Sequence, residues 1–106
     1  MNGNFNPDQN LKNGDMTVDA RGWLRWGPLD KSAEIAITVT QDGSPCSGPV
    51  MTCEAPSDKW QRDVTRAAPP PWSKARGASG QARAVVTKQD GTTYVSWWDS
   101  PPLTLR

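Results

Sequence analysis

The sequence predicts an all-β domain of seven to eight short strands, arranged as an antiparallel sandwich or barrel. Three observations carry that expectation. In residues 32–43, SAEIAITVTQDG, Ala33, Ile35, Ile37 and Val39 alternate with Glu34, Ala36, Thr38 and Thr40. This is the period-two pattern of a half-buried strand, closed by a turn dipeptide. Further on, Ala82, Ala84 and Val86 alternate with Arg83, Val85 and Thr87 and run into Asp90-Gly91, a strong hairpin signal. The chain also carries nine glycines and ten prolines with only 35% hydrophobic residues, which suits strands joined by many turns better than a helical bundle.

Taken in order, residues 1–15 hold five asparagines, two glycines and a proline. They read as a flexible segment preceding a single domain over 16–106, with Phe5 and Leu11 as its only apolar anchors. Met16, Val18 and Ala20 open a first strand that Gly22 interrupts and Trp23 to Trp26 continue, until Gly27-Pro28 stops it. After the strand of residues 32–41, Gly43-Ser44-Pro45 and Gly48-Pro49 bracket a loop, and residues 50–54 form a short strand. Ala55-Pro56-Ser57-Asp58 is a turn. Residues 59–66 place Trp60, Arg62 and Val64 on one face of a strand, although the spacing of Trp60 and Val64 also fits one helical turn. Residues 67–80, with their APPPW and GASG stretches, form a long loop with polyproline II character. Residues 93–98 return from the Asp90-Gly91 corner, Pro101-Pro102 breaks the strand, and Leu103 and Leu105 make a last short one.

The 106 residues suffice for one domain with a modest core. A net charge of +1 with no basic face beyond Lys74, Arg76 and Arg83 argues against a nucleic-acid partner. No apolar run is long enough to insert in a membrane, and the first residues lack the pattern of a signal peptide.

The segment from Ala33 onward resembles small immunoglobulin-like β-sandwich domains of secreted actinobacterial proteins. The resemblance rests on AEIAITVTQDG, a following cysteine, the tryptophan strand KWQRDV, the alanine-alternating GQARAVV and a closing W…L-T-L. It covers about two-thirds of the chain and implies a fold and an export route, with a secreted or cell-surface location; it implies no activity. Antibody-type domains carry two cysteines far apart, and this chain departs from that pattern.

Cys46 and Cys53 are the only cysteines and flank SGPVMT. Paired, they would close a small loop worth about 2.5 kcal/mol on the loop-entropy model and would fit an oxidising compartment. A braced loop of this kind, presenting Gly48, Pro49, Val50 and Met51, would also suit a protease inhibitor, because rigidity lowers the ordering cost of binding. Two thiols without histidine fall short of a zinc site.

The six tryptophans exceed what one small core accommodates. Trp60 and one of Trp97 or Trp98 are core candidates, since neighbouring strand residues point to opposite faces. Trp72, Tyr94, Trp97 and Trp98 are the candidate binding surface, facing a protein partner or a glycan; the same rings could instead cap the open ends of the fold beneath its proline-rich loops. Catalysis finds no footing. The chain has no histidine, the commonest general base, no nucleophile elbow and no phosphate-cradling glycine loop. Asp42, Asp58 and Asp90 sit in turns, where aspartate serves the backbone. The expectation is therefore a monomeric, cofactor-free binding or structural module.

Overall fold

The computed structural model describes residues 1–106, and the chain is all-β. Its strands are β1 (Asn2–Phe5), β2 (Asp8–Lys12), β3 (Thr17–Arg25), β4 (Asp30–Gln41), β5 (Ser44–Ser47), β6 (Met51–Glu54), β7 (Lys59–Thr65), β8 (Ser79–Lys88), β9 (Thr93–Asp99) and β10 (Thr104–Leu105). Two sheets face each other. In the first, β3 is central, with β7 on one edge and β1 followed by β2 on the other, and β10 runs parallel to β2. In the second, β4 pairs with β8 and β8 with β9, while β5 and β6 share the other edge of β4. Because β1/β2 and β5/β6 are each one interrupted strand, the ten segments make eight strands, within the seven to eight expected. The β3–β7 pair opposite the β4–β8–β9 triplet matches the B–E and C–F–G pairings of an immunoglobulin-like sandwich. No helix is long and apolar enough to cross a membrane.

The core lies between the sheets and follows from the alternation. On β4 the side chains of Ala33, Ile35, Ile37 and Val39 are buried, as are Ala82, Ala84 and Val86 on β8. The register sets large against small: Ile35 lies opposite Ala84, Ile37 opposite Ala82 and Val39 opposite Gly80. Phe5, from the other sheet, fills the space this leaves. A Cβ on Gly80 would stand 2.5 Å from the Phe5 ring, far inside van der Waals contact, so glycine is required there. Phe5 in turn meets Trp60 edge-on, with ring centroids 4.9 Å apart.

The Asp42-Gly43 corner is a two-residue turn with positive φ at both positions (52° and 77°), the twist that suits a tight hairpin. At the other corner only Gly91 takes positive φ (86°). There Lys88 N donates to Thr92 O and Gly91 N to Lys88 O, so this hairpin closes through a longer loop. Residues 59–65 are a strand, not a helical turn.

Two expectations are corrected. The first concerns residues 1–15, which are not loose: residues 2–5 and 8–12 are strands of the first sheet, with Phe5 and Gln9 buried. Gln9 repairs the break between β1 and β2 with its side chain. Its Nε2 donates to Asn6 O (2.6 Å) and Arg21 O (3.0 Å), and its Oε1 accepts from Arg21 N (2.8 Å). Such a buried amide is stable only when its donors and acceptors are engaged.

The second concerns the cysteines. Cys46 and Cys53 are both free. Cys46 pairs with Val39 and Cys53 with Ala33, six residues apart along β4, a span of about 20 Å. A bridge needs Cα atoms roughly 4.4–6.8 Å apart. The chain does not turn back at Gly48-Pro49; it bulges and continues along the same edge. Burial pushes the Cys53 thiol above its ordinary range, against the opposing charge of Arg62, so it is a weak nucleophile.

Candidate binding surfaces

The four aromatic residues expected to share a surface are dispersed. Trp72 is 1% exposed and seals the lower end of β3. Its backbone N donates to Asp15 O (2.8 Å) and its Nε1 to Met16 O (3.2 Å), and the Arg66 guanidinium lies over its ring at 4.2 Å. Gln41 holds the same proline loop from the end of β4. Its Nε2 donates to Ser73 O (2.9 Å) and Arg76 O (3.1 Å), while its Oε1 accepts from Ser73 N (2.8 Å). Trp98 is buried and Trp97 is 58% exposed, the opposite orientations that the pleat dictates. Trp72 and Trp98 therefore belong to the core beside Trp60, and only Trp97 remains as an outward platform.

Around Trp97 the outer face of the second sheet is apolar at its centre. Arg83 lies directly across from Trp97 and Val85 across from Val95, with Ala36 and Glu34 in the next strand of the same rows. The Arg83 guanidinium stands 5.6 Å from the Trp97 ring centroid. Val95 is 47% exposed. Arg83 forms no ion pair within the chain.

Tyr94 points the other way, into a polar knot. Its hydroxyl donates to Asp30 Oδ1 (2.9 Å) and accepts from the Met1 ammonium, which stands 3.6 Å from Asp30 Oδ2. Gly27 N donates to the same carboxylate at 2.7 Å. Burial and then the Asp30 carboxylate push the Tyr94 phenol up to about 12. Tyr94 is thus a structural tie for the first strand rather than a platform.

The loop considered for protease inhibition is exposed at its middle but tied down by its backbone and by Met51. Met51 lies opposite Ile35 on the inner face and is 9% exposed. Arg62 Nε donates to Pro49 O (2.7 Å) and Arg62 Nη2 to Val50 O (3.0 Å), and Gly48 N donates to Ile37 O. Of Gly48, Pro49, Val50 and Met51, Pro49 and Val50 are exposed, Gly48 is half-buried and Met51 is buried. A loop whose carbonyls are engaged inside its own domain offers little backbone to a protease.

The first sheet presents a different outer face. Arg21 grips Asp19 through Nε (3.2 Å) and Nη2 (3.1 Å), Gln61 donates to both Asp19 (2.8 Å) and Asp63 (2.9 Å), and Lys12 pairs with Asp63 (2.9 Å). The Arg21 hydrogen bond holds the Asp19 carboxyl below its usual range, with Gln61 adding to the effect. At the upper end of this lattice a cleft of about 540 Å³ opens between Asn6, Arg21, Trp23, Lys59 and Gln61. Trp23 is 37% exposed. Sequence reading treated Trp23 as the flank of a strand break. Its signal was present nonetheless: Asp19, Arg21, Trp23 and Arg25 take every second place along one strand, opposite to Val18, Ala20, Gly22 and Leu24.

No protein-family model matches the chain, and neither the curated proteins nor the solved structures contain a match to it.

Proposed function

We propose that this chain is a non-enzymatic, exported recognition module, acting as a monomer at the cell surface or beyond it. It recognises a protein partner through the outer face of its second sheet. The observation that carries this reading is the strand pair β8–β9. There Trp97 and Val95 stand more than two-fifths exposed side by side, with Arg83 unpaired against the indole. Tryptophan and arginine are the residues most enriched where protein interfaces concentrate their energy, and the free edge of β9 permits a partner to approach from the side as well as from above. Ion pairing supplies no competing role for these side chains.

Site-specific photocrosslinking at the surface of the native host tests the reading. A photoreactive residue at position 97 should give a discrete protein adduct that the same residue at position 31 does not give. Trp97→Ala combined with Val95→Ser, introduced beside a crosslinker at position 85, should abolish the adduct without lowering the melting temperature. Identical adducts from positions 97 and 31 would refute the assignment.

A further inference from the structure

The cleft on the first sheet is chemically unlike the Trp97 face, and we infer that it is a binding site for an acidic saccharide. The strand register explains its make-up. On the outer face, Asn4 and Lys59 flank Trp23 directly. In the next row Gln61 lies across from Arg21, and Asn6 N donates to Arg21 O from the other side. Two adjacent rows of three residues therefore surround one indole with amides and cations, and neither row contains an acid. The asparagines that made the first residues look disordered occupy positions 2, 4 and 6, every second residue, so they fall on one face of the chain while Gly3 and Phe5 turn inward.

These side chains retain hydrogen-bonding capacity. Lys59 has no carboxylate partner. Arg21 uses Nε and Nη2 on Asp19 and leaves Nη1 free, and Gln61 uses its Nε2 and leaves Oε1 free. The Asn6 side chain makes no hydrogen bond within the chain, and Trp60 closes the cleft from the core side with its indole N–H sealed from solvent. An indole face accommodates the C–H face of a pyranose ring. Amide groups pair with its hydroxyls in both senses, Lys59 supplies the countercharge for a carboxylate, and Arg21, already paired with Asp19, adds its free Nη1 as a donor. The cleft volume falls within the roughly 300–1,000 Å³ typical of small-molecule sites. Single-stranded nucleic acid fits less well, because it calls for successive aromatic platforms along a basic groove, and here there is one indole.

Calorimetric titration with tetragalacturonate, with the Trp23 indole N–H followed by NMR, tests this site independently of the Trp97 proposal. The acidic tetramer should bind and shift the Trp23 signal, and added salt should weaken it. Trp23→Ala should lower affinity about tenfold and Lys59→Glu about threefold. Lys31→Glu, an equal charge change on the other sheet, should leave it unchanged, and Trp23→Phe should recover part of the loss if Trp23→Ala folds poorly. Equal or tighter binding of neutral cellotetraose or of a thymidine octamer would overturn the assignment. So would equal losses in Lys59→Glu and Lys31→Glu, or no binding of the acidic tetramer at millimolar concentration.

Discussion

Two segments have the composition of loose chain, the asparagine-rich start and the proline-rich stretch over residues 66–78, and both are pinned by the same pair of devices. Each inserts one aromatic ring into the core, Phe5 or Trp72, and each is held by one buried glutamine, Gln9 or Gln41. They differ in what surrounds the pins. The first segment is also laddered to β3 along its length. The proline loop has no ladder: its ends are fixed by isolated backbone contacts, Arg66 N to Met16 O and Ala78 with Leu103, and between them it depends on Gln41, the bonds of Trp72 and a few surface contacts. Equal chemistry should therefore have unequal consequences: a lost pin in the ladder weakens the whole sheet, whereas a lost pin in the loop frees mainly the loop.

The largest effect should come from Phe5→Ala, which removes the ring seated on Gly80 and against Trp60. We expect a loss of about 3–5 kcal/mol, read as a lower urea midpoint with an unchanged slope. Gln9→Ala follows, at about 2–3 kcal/mol, because Arg21 N and two carbonyls lose their partners inside the sheet. Gln41→Ala removes as many hydrogen bonds but should cost about half as much, since Ser73 and Arg76 can turn to water. Amide exchange should accelerate at Ser73 alone, with β3 unaffected. Equal losses of global stability in the two glutamine variants would contradict the distinction drawn between ladder and loop.

Alkaline titration sharpens the comparison further. Tyr94 ties the first strand to Asp30, and its folded pKa of about 12 exceeds its ordinary value of 10.0. A raised folded value stabilises fully below pH 10 and is lost as pH climbs from 10 towards 12. Protection of the β1 amides relative to their intrinsic exchange rates should fall over that window, with the protection of the proline loop unchanged until the domain unfolds; Tyr94→Phe should abolish the pH dependence of β1 protection. The smallest effect should be that of Arg76→Ala. It breaks an exposed pair with Asp42 (2.7 Å) and should cost under about 0.5 kcal/mol, detectable as faster exchange at the loop before any shift in melting.

The comparison also explains what the sequence made legible. β4 and the β8–β9 hairpin could be read directly, because the central inner positions of β4 and β8 are all alanine, isoleucine or valine and their corners carry Asp-Gly. The opposed directions of Trp97 and Trp98 followed from the pleat alone. The first segment escaped because its burial rests on Phe5 and on Gln9, a polar residue two of whose three side-chain hydrogen bonds go to Arg21, twelve positions away. Trp72 escaped for a related reason: a ring in a proline loop gives no periodicity, and its burial is decided by Asp15 and Met16 in the turn before β3. The cysteine pairing failed on direction. Gly48-Pro49 has the composition of a reversal, whereas the backbone needed only a bulge. Trp23 was readable by alternation, but the Asn4 and Lys59 that flank it belong to strands 19 and 36 residues away by number, and their company is a property of the register.

The two thiols on the edge of the second sheet have a practical consequence. Since neither is cross-linked, the shape of the domain owes nothing to an oxidant, and glutathione should leave its melting curve where it was. The sandwich can thus be produced whole in a reducing cell extract and carried into an oxidising medium without passing through a different folded form, and each half-buried sulfur offers a separate chemical handle near one end of the same strand.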